Sequence, residues 1–203
     1  MRKILLGSIL SLLVSCASMN ESECVNADWR MIGLEDGMAG KSRAQIGEHR
    51  KACAKHNITP DLVSYNRGHE EGIVQFCTES RGFTFGRAGG TYNGVCPAHL
   101  VDDFIAGYRD GKELHSAEQA VRSLTSSIAS YKRQITATTK EIDQKEALLV
   151  NDSTGEDNRR ALLTDIKEAQ LQLKELEHAL YDAEHEIVIR QRELESLQRS
   201  VSY

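Results

Sequence analysis

The stretch "IDQKEALLVNDSTGEDNRRALLTDIKEA", residues 142–169, decides the fold. Before it, apolar positions recur at alternating spacings of three and four: Leu114, Ala117, Val121, Leu124, Ile128, Tyr131, Ile135, Thr138 and Ile142. After its centre the rhythm resumes from Leu162 through Ile166, Ala169, Leu173, Leu176, Leu180, Ala183, Ile187, Arg190, Leu194 and Leu197 to Val201. Seams of this period, held for more than four repeats, predict a coiled coil. Between them "NDSTGEDN", residues 151–158, is a polar breaker around Gly155. Residues 113–203 are therefore read as an antiparallel coiled-coil hairpin with its turn at about 151–158. An apex near Gly155 pairs Ile142 with Ala169, Ile135 with Leu176, Ile128 with Ala183 and Val121 with Arg190. Large residues then often face small ones, as interdigitation requires. Thr138, Lys145 and Arg190 are polar seam positions that set register. Two apolar rows make a marginal hairpin, so self-association or docking of another protein would bury more.

Upstream the composition changes. After Lys112 the single glycine is Gly155 and proline is absent, whereas residues 24–112 hold nearly all the glycine. A phrase recurs there: "WRMIGLEDGMAG", "YNRGHEEG" and "FIAGYRDG" each place an aromatic three or four residues before a Gly-x₃-Gly pair. On a helix, positions i and i+4 share a face, so each pair makes a smooth stripe for another backbone. A helical glycine is disfavoured by about 1 kcal/mol against alanine, so three such placements point to a packing need. Asn26 is read as the cap of a helix over 27–39, with a second helix over 42–55. Thr59 or Asp61 starts a third, which ends near Cys77. Residues 80–95 are read as a glycine loop or small hairpin. Pro97 starts a fourth helix that runs on into the arm.

The N-terminus, "MRKILLGSILSLLVSC", has basic Arg2 and Lys3 and an apolar run from Ile4 to Val14. That run is too short to span a bilayer, which takes about 20 apolar residues, and reads as a signal peptide, residues 1–15. Leu13-Val14-Ser15-Cys16 resembles the bacterial lipobox. That resemblance implies diacylglyceryl attachment to the Cys16 sulfur, cleavage before it and a lipidated tether over 16–23. The anchor would hold the chain to a membrane; Ala17 after the cysteine implies the outer membrane, periplasmic side. Four cysteines remain: Cys24, Cys53, Cys77 and Cys96. An even number in an exported chain reads as two disulfides with three possible connectivities. If the first two helices form a hairpin, Cys24 meets Cys53, and Cys77 with Cys96 closes the glycine loop; this pairing is preferred. Zinc ligands usually come as close C-x₂₋₄-C pairs, and spacings of 29, 24 and 19 do not fit.

The phrases "ADWRMIGLEDGMAG", "YNRGHEEGIVQFCT", "GGTYNGVCP" and "FIAGYRDG" resemble a family of uncharacterised envelope proteins, the domain of unknown function 2799, common in proteobacterial lipoproteins. The resemblance covers about residues 24–112 and implies no activity.

A search for chemistry yields little. "RGHEEG" offers His69, Glu70 and Glu71, and "CPAHLVDDF" offers His99, Asp102 and Asp103, for metal or acid–base work. Their spacing is not H-E-x-x-H, and solvated helix charge is the plainer reading. Asp36 is read as a hydrogen-bond partner of a neighbouring helix end. "GRAGGTYNG" lacks the spacing of the phosphate-binding glycine loops, and no G-x-S-x-G elbow is present. No metal or cofactor is assigned. A formal net charge of −5 makes a poor nucleic-acid binder. The expectation is a mainly α protein: a small, disulfide-stapled, glycine-rich helical domain over 24–112, then the hairpin. Its expected role is a structural or protein-interaction module of the bacterial envelope, binding an envelope protein or a second copy through the coiled coil. The alternative is an envelope ligand binder or enzyme using the loop 82–94 with His69 or His99.

Overall fold

The computed structural model describes residues 19–201. The expected signal peptide, residues 1–15, and the expected lipidation site, Cys16, lie outside the described residues. Seven α-helices are present among those residues, with no strand: α1 Glu21–Val25, α2 Trp29–Met38, α3 Ile46–Ala54, α4 Leu62–Phe76, α5 Glu79–Arg87, α6 Val101–Leu149 and α7 Glu156–Ser200. A 3₁₀ turn, Arg43–Gln45, precedes α3. Packing divides the described residues into two units: one runs up to residue 81 and takes in 92–105, and the other holds residues 82–91 and those from 106 onward.

Local chemistry sets the boundaries. Asn20 and Glu23 form a reciprocal capping box on α1. Asn26 closes this helix, and the cap of α2 is Asp28, whose carboxylate accepts from the Arg30 and Met31 N–H groups at 3.1 and 3.0 Å. Asp61 caps α4 the same way, through Val63 and Ser64. Gly40, at φ +69°, ends α2 in a Schellman turn: the Lys41 N–H donates to the Asp36 carbonyl and the Gly40 N–H to that of Gly37, both at 2.9 Å.

In the first unit α2 crosses α4 through four glycines. A Cβ on Gly68 would fall on the Arg30 carbonyl, and one on Gly37 would lie 2.5 Å from the His69 carbonyl. Gly33 and Gly72 make the same approach to the carbonyls of Tyr65 and Leu34. Around the crossing, Cys24, Trp29, Ile46, Cys53 and Tyr65 form one buried cluster. Phe104 stacks on Phe76 at 5.0 Å, with Tyr92 at 4.8 Å on the same ring. Disulfides join Cys24 to Cys53 and Cys77 to Cys96, each with a Cα separation of 5.6 Å. This is the pairing the helical reading preferred.

The second unit holds a correction. Residues 80–95 are not a loop or hairpin throughout, because Glu79–Arg87 is α5. Gly82 and Gly86 are a fourth Gly-x₃-Gly pair, both buried, and match Gly107 and Gly111, both buried on α6. A Cβ on Gly86 would fall on the Tyr108 carbonyl, and one on Gly111 on that of Phe83. "GLEDGMAG" (33–40) and "GFTFGRAG" (82–89) thus share the pattern G-x₃-G-x-A-G. The second copy also ends in a Schellman turn, with Gly89 at φ +83°. The crossing is an internal repeat, and in the sequence a disulfide cysteine, Cys53 or Cys96, precedes each partner helix.

Beyond the second crossing, α6 and α7 run as a helical hairpin turning over residues 150–155. Ile142, Ile166 and Ala169 are buried together, with Leu149 and Leu173 against them, as an apex near Gly155 requires. Lys132 reaches Glu184 at 2.8 Å and Lys145 reaches Asp165 at 3.3 Å across the pair. Thr138 is buried in the seam. Arg190 is not in the seam: it is exposed and pairs with Glu186 and Glu193 on its own helix, because a lone charge gains more there than in an apolar row. Pro97 does not start α6; a turn over 98–100 intervenes.

Candidate functional site

The polar centre of the first unit lies beside the α2/α4 crossing. Asp36 is three residues after Gly33 and so shares its face. Asp36 is 4% exposed, and its carboxylate accepts three hydrogen bonds: Tyr65 Oη to Oδ2 at 2.9 Å, His49 Nε2 to Oδ2 at 2.8 Å and Lys41 Nζ to Oδ1 at 2.9 Å. It bonds side chains, not the helix end expected from its sequence position. The Schellman turn at Gly40 places Lys41 so that its amine meets Asp36 while its carbonyl accepts from His69 Nε2 at 2.7 Å. The rings of Trp29, His49, Tyr65 and His69 follow one another at 6.3, 6.1 and 6.0 Å.

Electrostatics identify this as a latch. Burial pushes the Asp36 carboxyl up, but hydrogen bonds from Lys41, His49 and Tyr65 outweigh it and hold the group below its ordinary value. Burial, then the Asp36 carboxylate, pushes the Tyr65 phenol above its ordinary value. An acid this firmly ionised is a weak base near neutral pH, and a phenol this firmly protonated is a poor acid. The His69 Nδ1 is buried without a hydrogen-bond partner among the described residues, an arrangement disfavoured by about 1–3 kcal/mol.

The residues offered for metal or acid–base chemistry are not brought together. Arg30 Nη2 donates to both carboxylate oxygens of Glu71, at 2.7 and 2.9 Å, and Glu70 pairs with Arg43 at 3.0 Å. His99, Asp102 and Asp103 are exposed near the start of α6. Among the described residues no three His, Cys, Asp or Glu side chains are grouped to hold a metal ion. The expected loop 82–94 is helical to Arg87; the helix forms because Gly82 and Gly86 let it seat against α6. A cleft of about 310 Å³ lies along Ser42, Arg43, His69, Ile73 and residues 93–97. The His69 nitrogens are bonded or buried there, so they give the cleft no reactive group.

Sequence reasoning missed the Tyr65–Asp36–His49–Lys41 network. The available signal was Asp36 on the glycine face, where a carboxylate is forced inside and must find donors.

Residues 28–113 match the family described as protein of unknown function (DUF2799). Over those residues the chain carries a domain of unknown function 2799. No curated protein and no solved structure matches the chain. The matched span contains both glycine crossings and ends where the arm begins, so the repeat is the architecture that the domain carries here.

Proposed function

We propose that this chain is an envelope lipoprotein, anchored through lipid on Cys16 to the periplasmic side of the outer membrane, that works as a protein-interaction module through its helical arm. The observation that carries the reading is α7. It runs 45 residues, about 65 Å, and leaves Leu171, Tyr181 and Val188 exposed along its length. Helix faces of this kind are uncommon without a partner. The LVSC box, the two disulfides and the signal-like N-terminus support export and anchoring. No helix among the described residues is long and apolar enough to cross a membrane, so lipid is the attachment proposed.

Two measurements test this reading. Palmitate labelling in cells should mark the chain and not Cys16→Ser; equal labelling of both removes the anchor. Photo-crosslinking from arm positions in cells should trap a protein. The pair Leu176→Asp and Leu180→Asp, which places charge in the seam, should abolish that product while the lipid label persists.

A further inference from the structure

The arm segregates its charge. From Gln119 to Lys140, α6 carries Arg122, Lys132, Arg133 and Lys140 and no acid. From Glu175 to Ile189, α7 carries Glu175, Glu177, Asp182, Glu184 and Glu186 and no Lys or Arg. One ion pair, Lys132 to Glu184, joins the two segments within the hairpin. Arg133, Lys140, Glu175 and Glu177 make no ion pair among the described residues, although each is exposed.

The outer faces also differ in size. Along α7, Leu171, Tyr181, Val188 and Ile189 stand out at 62, 69, 42 and 39% exposure. On α6 the exposed neighbours of the basic residues are small: Ser126, Ala129, Thr136 and Ala137. A large, acidic face and a small, basic face complement one another, but inside one hairpin the two helices already meet along the seam. A two-fold axis solves this, because α7 of each arm can then lie on α6 of the other in two identical contacts. Opposite charges would flank large residues seated against small ones, which fixes both register and partner.

We propose that the arm pairs with the arm of a second copy of this chain, the outer face of α7 lying along the basic 122–140 segment of the partner's α6. This names the partner within the interaction reading above and rests on it.

The test uses the full chain in detergent. Sedimentation should show a dimer whose dissociation constant rises about tenfold or more between about 0.05 and 0.5 M salt, as exposed opposite charges require. Glu175→Lys with Glu177→Lys should be monomeric, and so should Arg133→Glu with Lys140→Glu. Mixed, the two variants should form a heterodimer, since each now carries what the other lacks. Circular dichroism unchanged from the parent rules out unfolding as the cause. A dimer indifferent to salt and to both reversals, or a parent chain monomeric at low salt, overturns the proposal. A photo-crosslinker at Tyr181, activated in cells, separates the two failures: a product of twice the chain mass supports pairing. A product of any other mass overturns pairing while leaving the interaction reading intact. No product overturns both.

Discussion

Three residues after Gly33, the crossing of α2 with α4 holds Asp36; three residues after Gly82, the crossing of α5 with α6 holds Phe85. The substitutions continue on the partner helices. Tyr65 and His69 flank Gly68, where Phe104 and Tyr108 flank Gly107. In the first copy Tyr65, His49 and Lys41 hold the buried carboxylate. In the second, the rings of Phe85 and Tyr108 pack at 6.2 Å. One contact survives the change: the residue after the first glycine bonds the carbonyl at the end of the Schellman turn, His69 to Lys41 and Tyr108 to Gly90. Glycine spacing and turn geometry therefore set the backbone approach, and the chemistry filling the space beside it is free to differ. The polar filling ties the first crossing to pH, whereas the aromatic filling does not.

The largest expected effect comes from breaking what the copies share. Gly68→Ala places a Cβ on the Arg30 carbonyl, with the Leu34 nitrogen at 2.9 Å, and neither is a flexible side-chain end. The helices must separate, and a loss of about 3 kcal/mol or more is expected in urea titration followed by Trp29 fluorescence. Gly86→Ala meets the Tyr108 carbonyl and the Lys112 nitrogen at 3.0 Å, so it should destabilise in the same direction. Losses under about 1 kcal/mol at both positions would show that the crossings have slack and that the glycines are not what holds them close.

A smaller effect separates the copies. Asp36→Asn keeps the shape but removes the charge that gathers three donors, a change of about 2 kcal/mol. The sign of its pH dependence follows from the lowered pKa of the carboxyl in the folded state. Stability from Asp36 is complete above the unfolded carboxyl value of about 4 and is lost as pH falls through the lower folded value. Tyr65 gives the opposite limb. Its folded value is raised, so its contribution is complete below about pH 10 and fades as pH rises beyond it. Asp36→Asn should flatten the acid limb of a stability–pH curve read at Trp29. An acid limb of unchanged slope would place the titrating group elsewhere.

Legibility followed the range of the signal. The hairpin could be read because its seam repeats over many turns and its breaker is a single polar cluster, so Ile142 meets Ala169 as spacing alone requires. Three glycine pairs were visible because an aromatic precedes each by three or four residues. The fourth was hidden: Gly82 and Gly86 sit among Gly89, Gly90 and Gly94, and local propensity there favours a loop. What makes α5 a helix is its seat against α6, a contact that local sequence does not contain. The Asp36 network escaped for the same reason. Its donors are 5, 13 and 29 residues away on three different segments, and nothing local ties them to Asp36.

The smallest prediction is a control that reverses the sign of the first. Gly47 also lies inside a helix, α3. It differs from the crossing glycines in its surroundings: a Cβ built there meets nothing within 4 Å. With no backbone to displace, only helix propensity and the entropy of the unfolded chain remain, and both favour alanine. Gly47→Ala should therefore stabilise the first unit by about 0.5 kcal/mol, less than a mid-helix site because Gly47 is in the first turn. The same titration that reports Gly68→Ala reads it. If Gly47→Ala instead destabilises by as much as Gly68→Ala, close helix approach is not the reason that alanine fails, and the distinction between packing glycines and incidental ones collapses.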